Sequence, residues 1–187
     1  EIVFKLPGEM LHLQKLVTQD HPYKSSWDTW PIMTRPIWYT YEKVINGPGL
    51  VHAVVLLGNP FQMAMGFLCA IVTGLFAFCG WYFDIQSIIP SKKTLGITTI
   101  FAFSWLVWSF SSRSITFFYY FFPSALCYSF LIPAFLRSYF KERNVLVIMT
   151  ALVLISLGYF IYFYPVISGT PIDETTLSKW MWFDSWI

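Results

Sequence analysis

Four long apolar segments constrain this chain more than any other feature. They are Phe61–Phe83, Thr94–Phe110, Ile115–Leu136 and Val145–Tyr164, and none of them contains an Asp, Glu, Lys or Arg. A helix needs about 20 apolar residues to cross the hydrocarbon core of a bilayer. The first segment exceeds this length, whereas Thr94–Phe110 is short and has to cross with little tilt or with help from flanking residues. The pattern predicts four transmembrane helices.

The composition supports a membrane protein and excludes two other classes. Of the 187 residues, 56% are hydrophobic and 12% are charged, and the mean hydropathy is +0.57. These values are too apolar for a soluble domain of this length. The formal net charge is only +2, so the chain lacks the basic field with which proteins bind nucleic acids.

The basic residues of the short connections predict the orientation. Two connections, Asp84–Lys93 and Arg137–Asn144, hold most of the cations that lie between the apolar segments: Lys92, Lys93, Arg137, Lys141 and Arg143. The positive-inside rule therefore places these two connections in the cytoplasm. An even number of crossings then puts both termini on the extracytoplasmic face, together with the segment ahead of the first span and the C-terminal tail.

The stretch His21–Pro36, HPYKSSWDTWPIMTRP, precedes the apolar segments and is rich in hydrogen-bonding groups and indole rings. Its prolines lack an N–H and disfavour helical geometry in the residue before them. A regular helix is therefore excluded, and the sequence predicts an ordered loop at the extracytoplasmic membrane surface. We call residues 21–36 the Pro/Trp loop.

The segments on either side of the Pro/Trp loop carry weaker signals. Gly8–Asp20 has apolar residues at helical spacing, which predicts an amphipathic helix at the membrane interface. After the loop, Ile37–Lys43 is aromatic and amphipathic, and Asn46–Gly49 has the composition of a turn. Val51–Leu57 either extends the first span or forms a shoulder before it.

Together these signals predict an all-α integral membrane protein, with four transmembrane helices preceded by an interfacial amphipathic helix and the Pro/Trp loop. Residues 1–58 form an extracytoplasmic or interfacial segment, residues 59–164 form the four-helix membrane region, and residues 165–187 form an extracytoplasmic tail. The tail is rich in Trp, which prefers the headgroup level. The sequence begins at Glu1 rather than Met, which favours a missing start or a longer parent chain.

The residue types that bind metals or form disulfides show no recognisable site. Cys69, Cys79 and Cys127 fall inside apolar segments without a Cys-x-x-Cys or Cys/His spacing, so the sequence predicts neither a zinc centre nor a redox pair. His52 stands near a membrane boundary among apolar neighbours. We interpret it as a hydrogen-bonded polar residue, with ligation of a porphyrin-type metal as the alternative.

Four motifs, in this order along the chain, resemble one family. The Pro/Trp loop has the form H-P-Y-x-S-x-W-x-x-W-P-x-x-x-R-P, and Gly58-Asn59-Pro60 precedes the first span. Residues 118–123 read FYYFFP, and residues 164–171 read YPVISGTP, followed by Trp182 and Trp186. This arrangement resembles the C-terminal four-transmembrane region of protein O-mannosyltransferases, particularly the bacterial members. The likeness covers nearly all of residues 1–187.

The resemblance implies a GT-C glycosyltransferase, which moves mannose from a polyprenyl phosphate to a Ser or Thr hydroxyl of an exported protein with inversion. The donor would be polyprenyl-phosphate mannose, and no further cofactor and no metal is expected. The family carries its catalytic acidic pair in its first extracytoplasmic loop, near its N-terminus, and this chain contains no matching segment. The implied partners are membrane lipid, an N-terminal catalytic portion or other membrane subunits, and the acceptor protein. The implied location is the cytoplasmic membrane of a bacterium.

Five residues are candidates for substrate binding. Such a transfer needs cations or dipoles that hold the departing phosphate, and Arg35 and His21 are the candidates in the Pro/Trp loop. Trp27 and Trp30 are candidates for stacking on the sugar or lining a lipid channel. The alternative for these four residues is interfacial anchoring and hydrogen bonding within the loop. Asn59 is the fifth candidate, with N-capping of the first span as the alternative, because a proline follows at the first helical position.

A second function stays open at this point. The chain also fits a truncated relative that acts as a non-catalytic structural subunit of a larger membrane complex and contacts lipid, pigment or partner helices. An upstream portion with more spans and an acidic pair favours the enzyme, whereas a start codon just ahead of Glu1 favours the subunit. In both cases we predict no catalytic residue within this chain and no mannosyl transfer by this chain alone.

Overall fold

The computed structural model describes residues 2–16, 21–45, 47–111 and 113–187. Most of these residues are helical. The α-helices in this part of the chain are α1 (Ile2–Lys15), α2 (Pro60–Tyr82), α3 (Lys92–Leu106), α4 (Phe122–Tyr139), α5 (Glu142–Ser168) and α6 (Glu174–Trp180). The strands are β1 (Ile37–Lys43), β2 (Leu50–Leu56) and β3 (Ile172–Asp173), which form one small sheet.

Helices α2 to α5 form the membrane bundle. Three stretches are long and apolar enough to cross a membrane, namely α2, α4 together with the 3-10 turn that precedes it (Phe118–Tyr139), and α5. The first, third and fourth predicted spans therefore correspond to long apolar helices. By length and composition, three helices among the described residues could cross a membrane, whereas the sequence analysis predicted four.

The second predicted span, Thr94–Phe110, is divided between two kinds of helix. α3 ends at Leu106, and a 3-10 turn continues over Val107–Phe110. At 1.5 Å per residue for α3 and about 2.0 Å per residue for the turn, the two rise about 30 Å together. This length is close to the thickness of the hydrocarbon core. A crossing at this position therefore depends on the 3-10 extension.

The sheet corrects the predicted all-α fold. β1 and β2 form an antiparallel hairpin in which Lys43 pairs with Val51, and β3 pairs with the other edge of β2. The stretch Val51–Leu57 is therefore mainly a strand and does not extend the first span. Val51, Ala53 and Val55 are buried while their neighbours are more exposed, which is the two-residue period of a half-buried strand. A short aliphatic run also fits a helix end, which is why its sequence did not distinguish the two.

The predicted turn lies between β1 and β2. Val44 N–H donates to the Leu50 carbonyl oxygen at 3.0 Å and so closes the hairpin. Gly49 has a φ of +82°, a conformation that glycine adopts without steric cost. Of the predicted turn Asn46–Gly49, Asn46 lies outside the described residues.

α5 extends past the membrane region and supports the sheet. Its 27 residues rise about 40 Å, which exceeds the roughly 30 Å of a hydrocarbon core, so the helix continues beyond both ends of the fourth predicted span, Val145–Tyr164. Val166 in the last turns of α5 is buried with the inward residues of β2. Gly169 ends α5 in the left-handed conformation of helix C-caps. His52 Nδ1 lies 2.8 Å from the Gly169 carbonyl oxygen, which agrees with the interpretation of His52 as a hydrogen-bonded residue.

The Pro/Trp loop and the C-terminal tail lie at the same end of the bundle, as predicted. The indole N–H of Trp186 donates to the Met33 carbonyl oxygen at 3.0 Å, and the indole N–H of Trp38 donates to the Trp186 carbonyl oxygen at 2.6 Å. The first and last segments of the chain therefore form one layer, which includes the sheet. We call this end of the bundle the outer end, and the compartment that it faces stays a prediction.

α1 differs in its bounds from the predicted interfacial helix. The amphipathic pattern predicts Gly8–Asp20, whereas α1 includes the apolar residues at the start of the chain and ends at Lys15. Residues 17–20 lie outside the described residues. Met10 and Leu13 are exposed, as a helix lying at an interface requires. The position of α1 at the membrane surface stays a prediction.

Gly66 on α2 provides a test of the bundle packing. A Cβ at this position would lie 2.2 Å from Cγ of Tyr128 on α4. Because this contact forces one helix to move, we expect Gly66→Ala to destabilise the fold by about 1–3 kcal/mol, measured as a lower thermal unfolding midpoint in detergent. Gly74→Ala on the same helix is the control, since an added Cβ there meets no heavy atom within 4 Å. Equal midpoints for the two variants would contradict this packing.

The orientation of the bundle is tested by cysteine labelling. Ser87 lies in the connection between α2 and α3, and Ser178 lies on α6 at the outer end, and both are exposed. In intact cells, a membrane-impermeant maleimide should label Ser178→Cys and should label Ser87→Cys only after lysis. The unsubstituted chain, whose cysteines all lie in apolar helices, is the control. Labelling of both positions in intact cells would overturn the topology.

Candidate functional site

Ser25 fixes the Pro/Trp loop to the connection before α4. Its backbone N–H donates to the Thr116 carbonyl oxygen at 2.9 Å, and the Thr116 hydroxyl donates to the Ser25 carbonyl oxygen at 2.7 Å. The Ser25 hydroxyl accepts a hydrogen bond from the indole N–H of Trp30 at 3.0 Å. Ser25 is buried, so water does not compete for these bonds. They join two segments that are 91 residues apart in sequence.

Trp30 packs in the core beneath the Pro/Trp loop. Its side chain is 1% exposed, and its ring contacts the rings of Trp108, Tyr120 and Phe121. A ring with so little exposed surface supports the loop and has no open face for a sugar in this structure.

Trp27 is the more accessible of the two candidate tryptophans. Its carbonyl oxygen accepts a hydrogen bond from the indole N–H of Trp105 at 2.8 Å, and the two rings lie 5.6 Å apart. The side chain is half-buried, and it borders a polar cavity. Trp27 is therefore the loop tryptophan that a ligand can reach.

His21 and Arg35 are exposed at the two ends of the Pro/Trp loop. His21 Nδ1 accepts a hydrogen bond from the backbone N–H of Tyr23 at 3.2 Å, and its ring meets Phe117 edge-on at 5.0 Å. Within the described part of the chain, neither residue lines the two cavities that Trp27 and Asn59 border. The structure therefore does not bring all five candidates together, and the phosphate contacts of His21 and Arg35 stay predictions.

Asn59 caps α2. Its Oδ1 accepts hydrogen bonds from the backbone N–H groups of Phe61 and Gln62, both at 3.1 Å, and Pro60 occupies the first turn. Its Nδ2 lies 3.5 Å from the Ser156 carbonyl oxygen, a long contact that uses the amide donor only weakly. The cap uses Oδ1 of Asn59 and makes little use of Nδ2. Asn59 could therefore cap α2 and bind a ligand through Nδ2 at the same time.

An apolar cavity of about 410 Å³ lies at the outer end between β1, the start of α2 and the start of α4. We call it the aromatic groove and define it by Tyr39, Leu56–Asn59, Gln62, Met63, Phe118, Tyr119, Phe121, Phe122, Ala125 and Tyr128. The Tyr128 hydroxyl is buried and has no hydrogen-bond partner among the described residues. An apolar cavity with a few polar groups suits a ligand that is largely apolar.

A polar cavity of about 210 Å³ lies beside Trp27. We call it the Arg113 cradle and define it by Lys24–Trp27, Trp108, Ser109, Ser111, Arg113, Ser114 and Thr116. Two of these lining residues are cations, six carry a hydroxyl group, and none of them is acidic. The cradle is therefore a small positively charged cavity, which suits an anion.

Two tyrosines separate the cradle from the groove. Arg113 donates to the Tyr120 hydroxyl at 2.7 Å, and its guanidinium carbon lies 5.2 Å from the centre of the same ring. The Tyr119 hydroxyl donates to the Tyr120 hydroxyl at 3.4 Å, and Tyr119 lines the aromatic groove. The two cavities are therefore neighbours, joined by a short line of polar groups.

Two carboxylates of the outer end, Glu174 and Asp173, make their hydrogen bonds outside the residues that line these two cavities. Glu174 accepts a hydrogen bond from the Tyr41 hydroxyl at 2.6 Å, and this bond raises the pKa of Tyr41. Asp173 caps α6, and hydrogen bonds from Thr175 lower the pKa of Asp173. The described residues that line the groove and the cradle include no Asp or Glu. Neither cavity therefore contains the carboxylate base that a hydroxyl acceptor requires.

A third cavity, of about 400 Å³, lies between the sheet and α6 and includes Glu174. Its lining is mainly aromatic and aliphatic, and Glu174 is already engaged by Tyr41. Among the described residues, no group of three or more His, Cys, Asp or Glu side chains is arranged to hold a metal ion. We find no acid–base pair in this cavity.

The sequence analysis did not name Arg113 as a candidate site residue. One signal was present in the sequence. Arg113 is the only charged residue between the second and third predicted spans, and the predicted topology places it on the extracytoplasmic face, where the positive-inside rule disfavours cations. A role in the lining of the cradle would account for a cation at this position.

The anchoring of the Pro/Trp loop is tested at Ser25. Ser25→Ala removes the partner of the buried indole N–H of Trp30, and a buried donor without a partner costs about 1–3 kcal/mol. We expect a lower unfolding midpoint and faster proteolysis within residues 21–36. Ser26→Ala is the matched control, because Ser26 is exposed and makes no side-chain capping bond. A Ser25→Ala variant as stable as this control would refute the anchoring role.

Comparison with known proteins gives one consistent result. A family model described as "C-terminal four TMM region of protein-O-mannosyltransferase" matches residues 2–186. Similar curated proteins are the polyprenol-phosphate-mannose–protein mannosyltransferases of Mycolicibacterium smegmatis, at 27% identity, and of Mycobacterium tuberculosis, at 26% identity. The matches cover 89% of this chain and 33% and 32% of the respective relatives. The chain thus spans about a third of the length of these proteins. No solved structure matches it.

Proposed function

Because this chain belongs to the C-terminal four-transmembrane region of the protein O-mannosyltransferase family, we propose that it forms the membrane-embedded binding part of a protein O-mannosyltransferase. The complete enzyme would transfer mannose from a polyprenyl phosphate to a Ser or Thr hydroxyl of an exported protein. The observation that carries this proposal is the family match over residues 2–186. It agrees with the motifs of the Pro/Trp loop, the start of α2 and the tail.

The chemistry requires a second part of the enzyme. Attack by a hydroxyl on the mannose carbon needs a carboxylate base, and the phosphate that leaves needs cations or dipoles to hold it. The described lining of the groove and the cradle supplies cations, hydroxyl groups and apolar surface, but no carboxylate. We therefore assign the catalytic acidic pair to an upstream portion, consistent with relatives about three times as long as this chain.

The donor lipid sets the location of the site. A polyprenyl chain partitions into hydrocarbon while its phosphate stays at the headgroup level, so its binding site has to lie at a membrane boundary. The aromatic groove begins at Asn59 and Gln62, where α2 starts. This position supports entry of the lipid from the bilayer. We place the outer end on the extracytoplasmic face of a bacterial cytoplasmic membrane, where an exported acceptor would arrive.

The candidate residues divide into two roles in this proposal. Trp27 borders the cradle and Asn59 borders the groove, so these two are proposed to contact the donor. Trp30 positions the Pro/Trp loop from below. His21 and Arg35 lie on the exposed surface of the loop, where contact with the upstream portion or with headgroups is the simpler role.

The assignment of the catalytic base to an upstream portion is tested by measuring mannose transfer. The isolated chain, purified in detergent and supplied with polyprenyl-phosphate mannose and a Ser/Thr-rich peptide, should transfer no mannose. The full-length parent protein should transfer mannose in the same assay. Turnover by the isolated chain would overturn the assignment of the base to an upstream portion, and an inactive parent under conditions where the M. smegmatis relative is active would overturn the proposed function.

The role of Asn59 is tested by separating its oxygen from its nitrogen. Asn59→Ser keeps a capping oxygen and loses the amide donor, whereas Asn59→Ala loses both, at a cost of about 1 kcal/mol for the cap. If the amide contacts the donor, Asn59→Ser in the full-length parent should raise KM for polyprenyl-phosphate mannose at nearly unchanged thermal stability. An unchanged KM for the Ser variant, together with a destabilised Ala variant, would leave Asn59 with the capping role alone.

A further inference from the structure

We propose that the Arg113 cradle binds the phosphate of a polyprenyl phosphate whose isoprenoid chain lies in the aromatic groove. This inference rests on the proposed function and names the part of the chain that holds the donor phosphate. It assigns that role to Arg113 and not to Arg35.

The charge of the cradle is the first argument. Arg113 and Lys24 both line it, and no acidic residue does so among its described residues. A guanidinium carries five N–H donors in a fixed plane, which match the oxygens of a phosphate. Among the described residues, the Tyr120 hydroxyl accepts one hydrogen bond from the Arg113 guanidinium, which has five donors in all. Because Arg113 is half-buried, its attraction for an anion is screened less than that of a cation in water.

The hydroxyl groups of the cradle are the second argument. Ser111 Oγ accepts a hydrogen bond from the backbone N–H of Arg113 at 3.3 Å, which leaves the hydroxyl hydrogen to donate. Ser26 lines the cradle as well and makes no capping bond to the 3-10 turn that follows it. Hydroxyl donors beside two cations are the groups that a phosphate ester requires once it leaves water.

The position of the cradle next to the groove is the third argument. Tyr119 lines the groove and Arg113 lines the cradle, and the Arg113–Tyr120–Tyr119 contacts of 2.7 and 3.4 Å run from one cavity to the other. A polyprenyl phosphate has the same order of groups, with an anionic head directly attached to a long apolar chain. A free phosphate would use only the cradle, and an unphosphorylated polyprenol would use only the groove. The adjoining pair of cavities therefore favours the phosphorylated lipid.

Arg35 offers a matched comparison. It carries the same charge on the same end of the bundle, but it is exposed and does not line the cradle or the groove. If the net charge of the outer end attracted the lipid, neutralising either arginine would weaken binding equally. If the cradle holds the phosphate, only the change at Arg113 matters.

The experiment measures binding and not turnover. The full-length parent protein, in nanodiscs of phosphatidylcholine, is titrated with radiolabelled polyprenyl phosphate, with inorganic phosphate, unlabelled polyprenol and phosphatidylglycerol as competitors. We expect Arg113→Gln to weaken binding by about tenfold or more, since a hydrogen bond to a charged group contributes about 1.5–3 kcal/mol. Arg35→Gln should change the Kd by less than about twofold, in line with the small effect of an exposed charge. Arg113→Lys keeps the charge without the planar donors, and we expect an intermediate loss.

The outcomes are separable. Equal losses for Arg113→Gln and Arg35→Gln, or competition by polyprenol as strong as that by unlabelled polyprenyl phosphate, would overturn the inference. Equal competition by phosphatidylglycerol would make the site one for any anionic lipid, and equal competition by inorganic phosphate would make it a simple anion site; both results also overturn the inference. A thermal unfolding midpoint of Arg113→Lys close to that of the parent, with weakened binding, supports it. If the parent transfers mannose but the Arg113 variants bind polyprenyl phosphate as tightly as the parent does, only this inference is refuted. If the Arg113 variants bind polyprenyl phosphate more weakly but the parent transfers no mannose, only the proposed function is refuted.

Discussion

The hydrogen bonds between Ser25 and Thr116 are the interaction on which the Arg113 cradle depends. The Pro/Trp loop supplies one side of the Arg113 cradle, and the connection before α4 supplies the other. Neither segment is a regular helix or strand at this point, so the backbone groups of Ser25 and Thr116 are not paired within a regular element. The two bonds at 2.9 and 2.7 Å satisfy them. Because Trp30 then packs beneath Ser25, burial of apolar surface and satisfaction of the backbone stabilise the same contact.

The unequal lengths of the helices determine where a ligand can bind. Asn59 at the start of α2 contacts Ser156 of α5, and from Ser156 to the end of α5 the chain rises about 18 Å. α5 therefore continues well beyond the start of α2, and the sheet packs against this extension. The aromatic groove lies at the start of α2, the shorter of the two helices, between β1 and the start of α4.

The sequence predicted the helices well and the sheet not at all, for a physical reason. The spans follow from hydropathy, which is a local property, and α2, α4 and α5 lie where it is highest. The sheet depends on contacts over long distances in sequence, since β3 at Ile172 pairs with Val51. The site shows the same contrast. The capping of α2 by Asn59 was readable from the proline that follows it, whereas the presence of Lys24 and Arg113 in the lining of one cavity becomes visible only once the fold brings their segments together.

The described residues that line the cradle include no carboxylate, which is consistent with the phosphate site that we propose there. A carboxylate beside Arg113 would form an ion pair and neutralise the charge that an anionic ligand needs. It would also repel the ligand directly. In the proposed enzyme, a base for the acceptor hydroxyl would therefore approach from outside the cradle, on the far side of the sugar from the leaving phosphate, as an inverting displacement requires. If the acidic pair lies in a different segment from the cations of the cradle, as we propose, each group retains its charge until the substrate lies between them.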